Sequence, residues 1–230
     1  KVSAFIGSIM IMYTLSIVGS LLGIGVNYLI ELLFGITSSS VAVELISSGQ
    51  DILVSLIFAG IIAPIVEEII FRKLLIDRTI KYSPRLSLVL SGLLFGLIHG
   101  NFQQFFYAFL LGIFFAYIYI RTGRLIYTIL LHMLLNSASV LISAMYPAVA
   151  SLETMGSTEI FEYLSTASSE TLLQLFILII LVFSQYIFAI VGAILLIVKR
   201  KSFTFPENSY PSGMKSGLTI FKSSGMILCI

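Results

Sequence analysis

The feature that most constrains this chain is a series of long, predominantly apolar runs. Six such runs occur, at residues 3–34, 52–77, 86–99, 102–120, 125–146 and 171–198. A helix needs roughly 20 apolar residues to cross a bilayer, and in lipid every backbone polar group must be paired within the protein. We therefore predict an all-α fold, a polytopic transmembrane helical bundle with about six or seven membrane spans.

Composition agrees with a membrane protein and excludes several functions. Of the 230 residues 58% are hydrophobic and 10% are charged, whereas soluble domains carry about 25% charged residues. The net charge is only +2 and no Lys/Arg-rich tract occurs, so we expect the lipid bilayer and no nucleic acid as a partner. Cys229 is the single cysteine, which excludes an internal disulfide and a thiolate metal cluster.

Charge predicts the orientation of the spans. The basic residues cluster in a few places: Lys1, the segment with Arg72, Lys73, Arg78, Lys81 and Arg85, the Arg121/Arg124 turn, and Lys199, Arg200 and Lys201. The intervening loops carry acidic residues and no Lys or Arg: Glu44, Asp51, Glu153, Glu159, Glu162 and Glu170. Six alternating spans place all basic clusters on one side, which the positive-inside rule makes cytoplasmic. We expect a multi-pass protein of the cell membrane.

We divide the chain into three regions. Residues 1–51 form an N-terminal membrane helix and an outer loop, residues 52–146 a membrane core with the candidate site, and residues 147–230 an outer loop, a further helix and a tail. A seventh span is expected near residue 214, although Lys222 interrupts it. Because residue 1 is Lys and the chain stops inside an apolar stretch, we expect the native protein to extend beyond both ends.

Several polar groups lie inside the apolar runs. They are Glu67, Glu68 and Arg72 in the second run, His99 at the end of the third, and His132 and Asn136 in the fifth. A charge at the bilayer centre costs at least about 2.5–3.5 kcal/mol, so such groups usually face the bundle interior and have a function. At a rise of about 1.5 Å per residue, they lie roughly 10–20 Å into their helices. Their depths overlap, so we predict one shared site.

Spacing predicts which of these groups share a helix face. Glu68 and Arg72 are four residues apart and are expected to form an ion pair. Glu67 points about 100° away and is free to address another group. His132 and Asn136 are also four residues apart and project from one face.

Glycine and proline mark close contacts around these groups. Gly92, Gly96 and Gly100 form overlapping small-xxx-small pairs, which let a neighbouring helix approach closely. We therefore expect His99, on the same helix, to face another helix rather than lipid. Pro64 is expected to kink the second span and free a carbonyl.

The combination of groups suits hydrolysis of an amide. A carboxylate and an imidazole can hold a water molecule, with the carboxylate as general base. A second imidazole and an amide NH₂ can donate hydrogen bonds to an oxyanion. The alternative is a zinc ion held by Glu67, His99 and His132, although the HExxH motif is absent. No serine or cysteine is well placed as a nucleophile, although Ser137, which follows Asn136, stays open as an alternative.

Two other classes of function are also compatible with these residues. Buried glutamates and histidines also mark transporters and proton relays, although no repeated halves of the kind transporters show are seen. A non-catalytic scaffold or immunity protein, in which the Glu68–Arg72 pair only joins two helices, is the second alternative.

Three ordered motifs resemble a known family. They are EExxxR at Glu67, Glu68 and Arg72, FxxxH at Phe95 and His99, and HxxxN at His132 and Asn136. In this order they resemble the CPBP family, also called Abi or CAAX-protease-like. This family includes type II CAAX prenyl endopeptidases and bacteriocin-immunity proteins. The resemblance covers roughly residues 52–146.

The resemblance implies an intramembrane endopeptidase acting on a membrane-associated or lipidated peptide or protein. It implies that Glu67 and His99 activate water, that Glu68 and Arg72 orient the site, and that His132 and Asn136 stabilise the oxyanion. The family is often called metalloprotease, but a mechanism with glutamate-activated water and no catalytic metal has also been proposed for it. We favour the latter, since Asn136 suits an oxyanion donor better than a zinc ligand, and expect no required cofactor. The site is expected in the cytoplasmic half of the membrane.

Overall fold

The computed structural model describes residues 2–36, 51–145 and 155–203, together with positions 149 and 152. Within these residues the chain forms helices and no strand, which confirms the all-α prediction. We label seven helices in chain order: α1 (Val2–Phe34), α2 (Ile52–Thr79), α3 (Pro84–Leu97), α4 (Phe102–Thr122), α5 (Leu125–Met145), α6 (Ser157–Thr166) and α7 (Ser169–Val198). A short 3₁₀ turn, Arg200–Ser202, follows α7.

Five of the described helices are long and apolar enough to cross a membrane: α1, α2, α4, α5 and α7. The helix α3 coincides with the predicted run 86–99 but has only 14 residues, about 21 Å at 1.5 Å per residue. That is shorter than a hydrocarbon core of about 30 Å. The expected span near residue 214, like Glu44 and Glu153, lies outside the described residues.

Polar capping residues explain where the helices begin and end. The side chains of Asp51, Ser83, Asn101 and Ser168 accept hydrogen bonds from backbone N–H groups in the first turns of α2, α3, α4 and α7. At the other end of α4, Gly123 has φ +64°, the left-handed conformation that glycine adopts without strain. These residues divide the long apolar sequence into separate helices.

The helix α1 packs against α4 and α7, and α3 packs against α4. Small residues allow the close contact between α3 and α4, because a Cβ on Gly112 of α4 would lie 2.8 Å from the Cα of Gly92 in α3. Gly96 lies against Phe105 of α4 in the same interface. The close approach predicted for Gly92 and Gly96 is therefore present. Gly100 differs, because it lies in the joint after α3 with φ +70° and no packing neighbour within 4 Å.

The helix α2 is not a uniform α-helix. Two π-helical segments, Leu56–Ile62 and Ile69–Leu74, flank the α-helical turn Ala63–Glu68 that carries the two glutamates. Isolated π segments within α-helices are uncommon and frequently occur at functional sites. The change of register alters which side chains of α2 face α5.

Candidate active site

The centre of the predicted site is a buried cluster of a carboxylate, a guanidinium and an imidazole, from Glu68, Arg72 and His132. The Glu68 carboxylate lies 3.0 Å from Arg72 Nε, as the four-residue spacing predicts. On its other oxygen it accepts a hydrogen bond of 3.1 Å from His132 Nδ1. Glu68 and Arg72 are fully buried and the His132 side chain is 5% exposed. Glu68 therefore joins α2 to α5 through His132.

Aromatic rings complete the surroundings of Arg72. Neither terminal nitrogen of its guanidinium has a hydrogen-bond acceptor among the described residues. Instead, its Cζ lies 4.7 Å from the ring centre of Phe95 and 5.6 Å from that of Phe115. Cation–π attraction is stronger when the cation is removed from water, as it is here. The two rings thus stabilise a charge that would otherwise be costly to bury.

The same two rings contact His132. The ring centre of Phe95 is 5.5 Å from that of His132, and the ring centre of Phe115 is 5.8 Å from it. Phe95 also lies 5.3 Å from the His99 ring in an edge-to-face arrangement. Phe95, the first residue of the FxxxH motif, therefore touches groups from all three motifs. Phe115 lies outside the motifs, and nothing in the sequence separates it from the other phenylalanines.

Glu67 is the accessible acid of the cluster. Its side chain is 25% exposed, and Oε2 lies 3.7 Å from His132 Nε2. The two ring nitrogens of His132 thus face the two adjacent glutamates. Because Glu68 is fully buried, a water molecule or substrate that enters the site meets Glu67 first.

His99 is half-buried at the end of α3, where it contacts Tyr107 of α4 at a ring distance of 6.2 Å. It faces a neighbouring helix, as expected. Its Nδ1 lies 2.8 Å from the Phe95 carbonyl oxygen. A carbonyl can only accept, so Nδ1 carries the hydrogen, and in a neutral ring Nε2 is then free to accept.

Asn136 lies one turn beyond His132 and is half-buried. Its Nδ2 donates a hydrogen bond of 3.0 Å to the Ala59 carbonyl in α2, and the hydroxyl of the next residue, Ser137, lies 3.5 Å from the Gly60 carbonyl. Both side chains thus face α2. Ser137 has no histidine or carboxylate as a hydrogen-bond partner in the described residues, so it lacks the base that a nucleophilic serine needs.

The structure therefore places Glu67, Glu68, Arg72 and His132 in direct contact. His99 joins them through Phe95, and Asn136 lies on the same face of α5 as His132.

The arrangement does not fit a zinc ion held by the three predicted ligands. Among the described residues, no three His, Cys, Asp or Glu side chains are grouped closely enough to share one metal ion. Glu67 and His132 are neighbours, but His99 is not placed with them as a third ligand. We therefore derive no chemical step through a metal.

The fold and the site define a class of protein, a helical membrane protein with a buried carboxylate–imidazole centre. Residues 49–138 match the model of the family described as "Type II CAAX prenyl endopeptidase Rce1-like". This match includes all three motifs and confirms the resemblance inferred from them.

Two named bacterial proteins are similar to part of the chain. "Putative membrane peptidase YdiL" of Bacillus subtilis is 30% identical over 89 residues, which are 38% of this chain and 36% of that protein. "Membrane-embedded CAAX protease MroQ" of Staphylococcus aureus is 31% identical over 111 residues, 45% of each chain. The chain thus spans less than half the length of these relatives. No solved structure matches it.

Proposed function

We propose that this protein is an intramembrane endopeptidase, which hydrolyses a peptide bond in a membrane-associated or lipidated protein or peptide. The observation that carries the proposal is the pair of adjacent glutamates with opposite surroundings. Glu68 is buried and holds His132, whereas Glu67 is accessible beside the same ring. The similarity to membrane peptidases over residues 49–138 supports it.

In the proposed reaction Glu67 acts as general base. Its carboxylate takes a proton from a water molecule that also donates to His99 Nε2, and the hydroxide oxygen adds to the scissile carbonyl carbon. The C–N bond then breaks, and the leaving amine takes the proton from Glu67. The Glu67 carboxylate is regenerated, so the step needs no oxidant or other reactant.

His132 and Asn136 stabilise the oxyanion of the tetrahedral intermediate in this proposal. The Glu68 carboxylate accepts from His132 Nδ1 and so directs Nε2 towards the site. A His132 ring with hydrogen on both nitrogens can donate from Nε2 to the oxyanion. Asn136 uses one of its two N–H hydrogens for the Ala59 carbonyl, which leaves the second for the substrate.

Arg72 is too deeply buried to contact a substrate. Its proposed role is to keep Glu68 ionised and fixed, so that the imidazole of His132 stays in one orientation. Because Phe95 and Phe115 lie against both Arg72 and His132, they support the same orientation.

We propose that the protein resides in the cell membrane, with the site open towards the cytoplasmic half, because alternating spans would place the basic loops on that side. The favoured mechanism requires no cofactor. Metal analysis of the purified protein, with activity assayed before and after chelation, tests this against the zinc alternative. A stoichiometric metal whose removal abolishes cleavage would contradict the metal-free mechanism.

The proposal is tested by comparing the membrane peptides of cells that carry the wild-type protein or Glu67→Gln. We expect a set of cleavage products that depends on the wild-type protein and disappears in the variant. Glu31→Gln, which removes an exposed carboxylate near the C-terminal end of α1, is the matched control and should leave the products unchanged. Identical profiles in all three strains, at equal protein levels, would contradict a peptidase function.

A further inference from the structure

Pro64 lies within α2, three residues before Glu67, and has no N–H to donate to a carbonyl of the preceding turn. At the end of the first π-helical segment, the N–H of Ala63 donates to the carbonyl of Phe58, five residues earlier. The same register would pair the N–H of residue 64 with the Ala59 carbonyl. Proline has no N–H, so Ala59 lacks the donor that this register would supply.

The structure shows which groups use the carbonyls in front of Pro64. The Ala59 carbonyl accepts from Asn136 Nδ2 at 3.0 Å, and the Gly60 carbonyl lies 3.5 Å from Ser137 Oγ. Both donors come from α5. Gly60 permits this approach, because a Cβ at its position would lie 2.8 Å from Ser137 Oγ.

The bond to Ala59 determines which end of the Asn136 carboxamide faces α2. The amide oxygen cannot face a carbonyl oxygen, since both are acceptors, so the NH₂ end must take that position. The second N–H of that group then has a direction fixed by the planar amide. An oxyanion donor must be held in place in this way before the charge develops.

We propose that Pro64 is a positioning residue, which frees the Ala59 carbonyl and thereby orients the carboxamide of Asn136. Its contribution to catalysis rests on the proposed function, in which Asn136 donates to the oxyanion. Its effect on the Asn136 amide does not depend on that function.

Pro64→Ala tests the kinetic part of this proposal. The variant restores an N–H that competes for the freed carbonyl, so kcat should fall about five- to tenfold, the order expected for the loss of one hydrogen bond. KM should be unchanged. The melting temperature should not fall, since alanine suits a helix interior better than proline.

Pro84→Ala is the matched control. Pro84 is equally buried but lies in the first turn of α3, where an N–H has no helical partner, so its replacement should leave kcat unchanged. In an Asn136→Ala background, Pro64→Ala should cause no further loss. If Pro64→Ala lowers kcat by the same factor in that background, Pro64 does not act through Asn136 and the proposal is overturned.

A spectroscopic measurement tests the proposal without any peptidase assay. The chain has four asparagines, Asn27, Asn101, Asn136 and Asn208, so ¹⁵N-asparagine labelling gives four side-chain NH₂ groups, and Asn136→Ala identifies one. We expect Pro64→Ala to shift the Asn136 NH₂ signals and Pro84→Ala to leave them unchanged. Unshifted signals in Pro64→Ala would overturn the proposal. Shifted signals in a protein without peptidase activity would support it while rejecting the proposed function.

Discussion

Glu67 and Glu68 are adjacent in the chain, yet they lie in very different surroundings. The Glu68 side chain is fully buried and contacts both Arg72 and His132, whereas Glu67 is 25% exposed and touches His132 only at 3.7 Å. A buried carboxylate with two partners holds two helices together. A partly exposed carboxylate beside an imidazole is available to a water molecule. These two residues should therefore respond differently to the same substitution.

We predict that Glu68→Gln lowers the stability of the protein by about 3–5 kcal/mol, because it leaves the buried Arg72 charge without its carboxylate. Glu67→Gln should change stability by less than about 1 kcal/mol, since no buried ion pair is lost. Thermal unfolding of both variants in the same detergent measures the difference. Equal melting temperatures would contradict the structural role assigned to Glu68.

Phe115 and its neighbour Phe114 are both buried, but only Phe115 lies against Arg72. Phe115→Leu should destabilise the protein by about 1 kcal/mol more than Phe114→Leu, because the buried cation–π contact with Arg72 is also lost. Phe114 is the matched control, since it is a buried neighbour in the same hydrophobic cluster. Unfolding measurements on the two variants should show the difference. If both substitutions cost the same in the wild type, the contact contributes no stability.

The sequence predicts those site contacts that follow from spacing along one helix. Glu68 and Arg72 are four residues apart, and their ion pair is present. The contact between Glu68 and His132 joins positions 64 residues apart. The sequence therefore predicts only that the two groups lie at similar depths in the membrane. Phe115 could not be identified, because any ring in α4 would satisfy the same apolar pattern.

At the scale of helices, the close packing of α3 and α4 positions His99. Gly92 of α3 lies against Gly112 and Phe109 of α4, so the two backbones approach closely. His99 follows at the end of α3, where its ring meets Tyr107 of α4. Any side chain added between the two helices should therefore displace both α3 and the imidazole it carries.

We predict that Gly92→Ala destabilises the protein by about 1–3 kcal/mol, the usual cost of overpacking. The added Cβ would lie 2.6 Å from Ile113 Cγ1 and 3.0 Å from the Phe109 carbonyl oxygen. Gly25→Ala in α1 is the control, because its Cβ would meet nothing within 4 Å. That substitution should be neutral or stabilise the helix by up to about 1 kcal/mol. A Gly92→Ala protein as stable as Gly25→Ala would contradict the packing.

The apolar runs predict the positions of the helices α1 to α5 and α7 closely. They do not predict the π-helical segments of α2, because a run of apolar residues does not distinguish a register of five residues from the usual register of four. They also miss α6, which lies in the acidic loop before α7. Its ten residues are too short for a span, and its apolar residues are too few to stand out.

For the molecule as a whole, the distribution of charge predicts one orientation of the helices in the membrane. The described basic segments, at residues 80–83, 121–124 and 199–202, lie at the ends of α2, α4 and α7. The acidic α6 lies between α5 and α7. In this arrangement α3 enters the membrane from the side where α2 ends, and α4 returns the chain to that side. The helix α5 then crosses the membrane, so α6 lies on the side opposite the basic segments.

This orientation can be checked by labelling single cysteines in a Cys229→Ser protein with a membrane-impermeant maleimide. Ser157→Cys, in α6, should react in intact cells, since the positive-inside rule places it outside. Lys81→Cys and Lys201→Cys should react only in inverted membrane vesicles. Denatured samples of each variant provide the control for thiol reactivity. Labelling of Ser157→Cys and Lys81→Cys from the same side would contradict the topology.

Peptide cleavage by the purified protein in liposomes, with products identified by mass spectrometry, shows whether the protein is a peptidase that uses Glu67 as its base. The substrate is a membrane peptide selected from the products that depend on the wild-type protein in cells. We expect two complementary fragments from the wild-type protein and at least a hundredfold slower cleavage by Glu67→Gln at unchanged melting temperature. Cleavage by Glu67→Gln at the wild-type rate would show that this carboxylate is not the base.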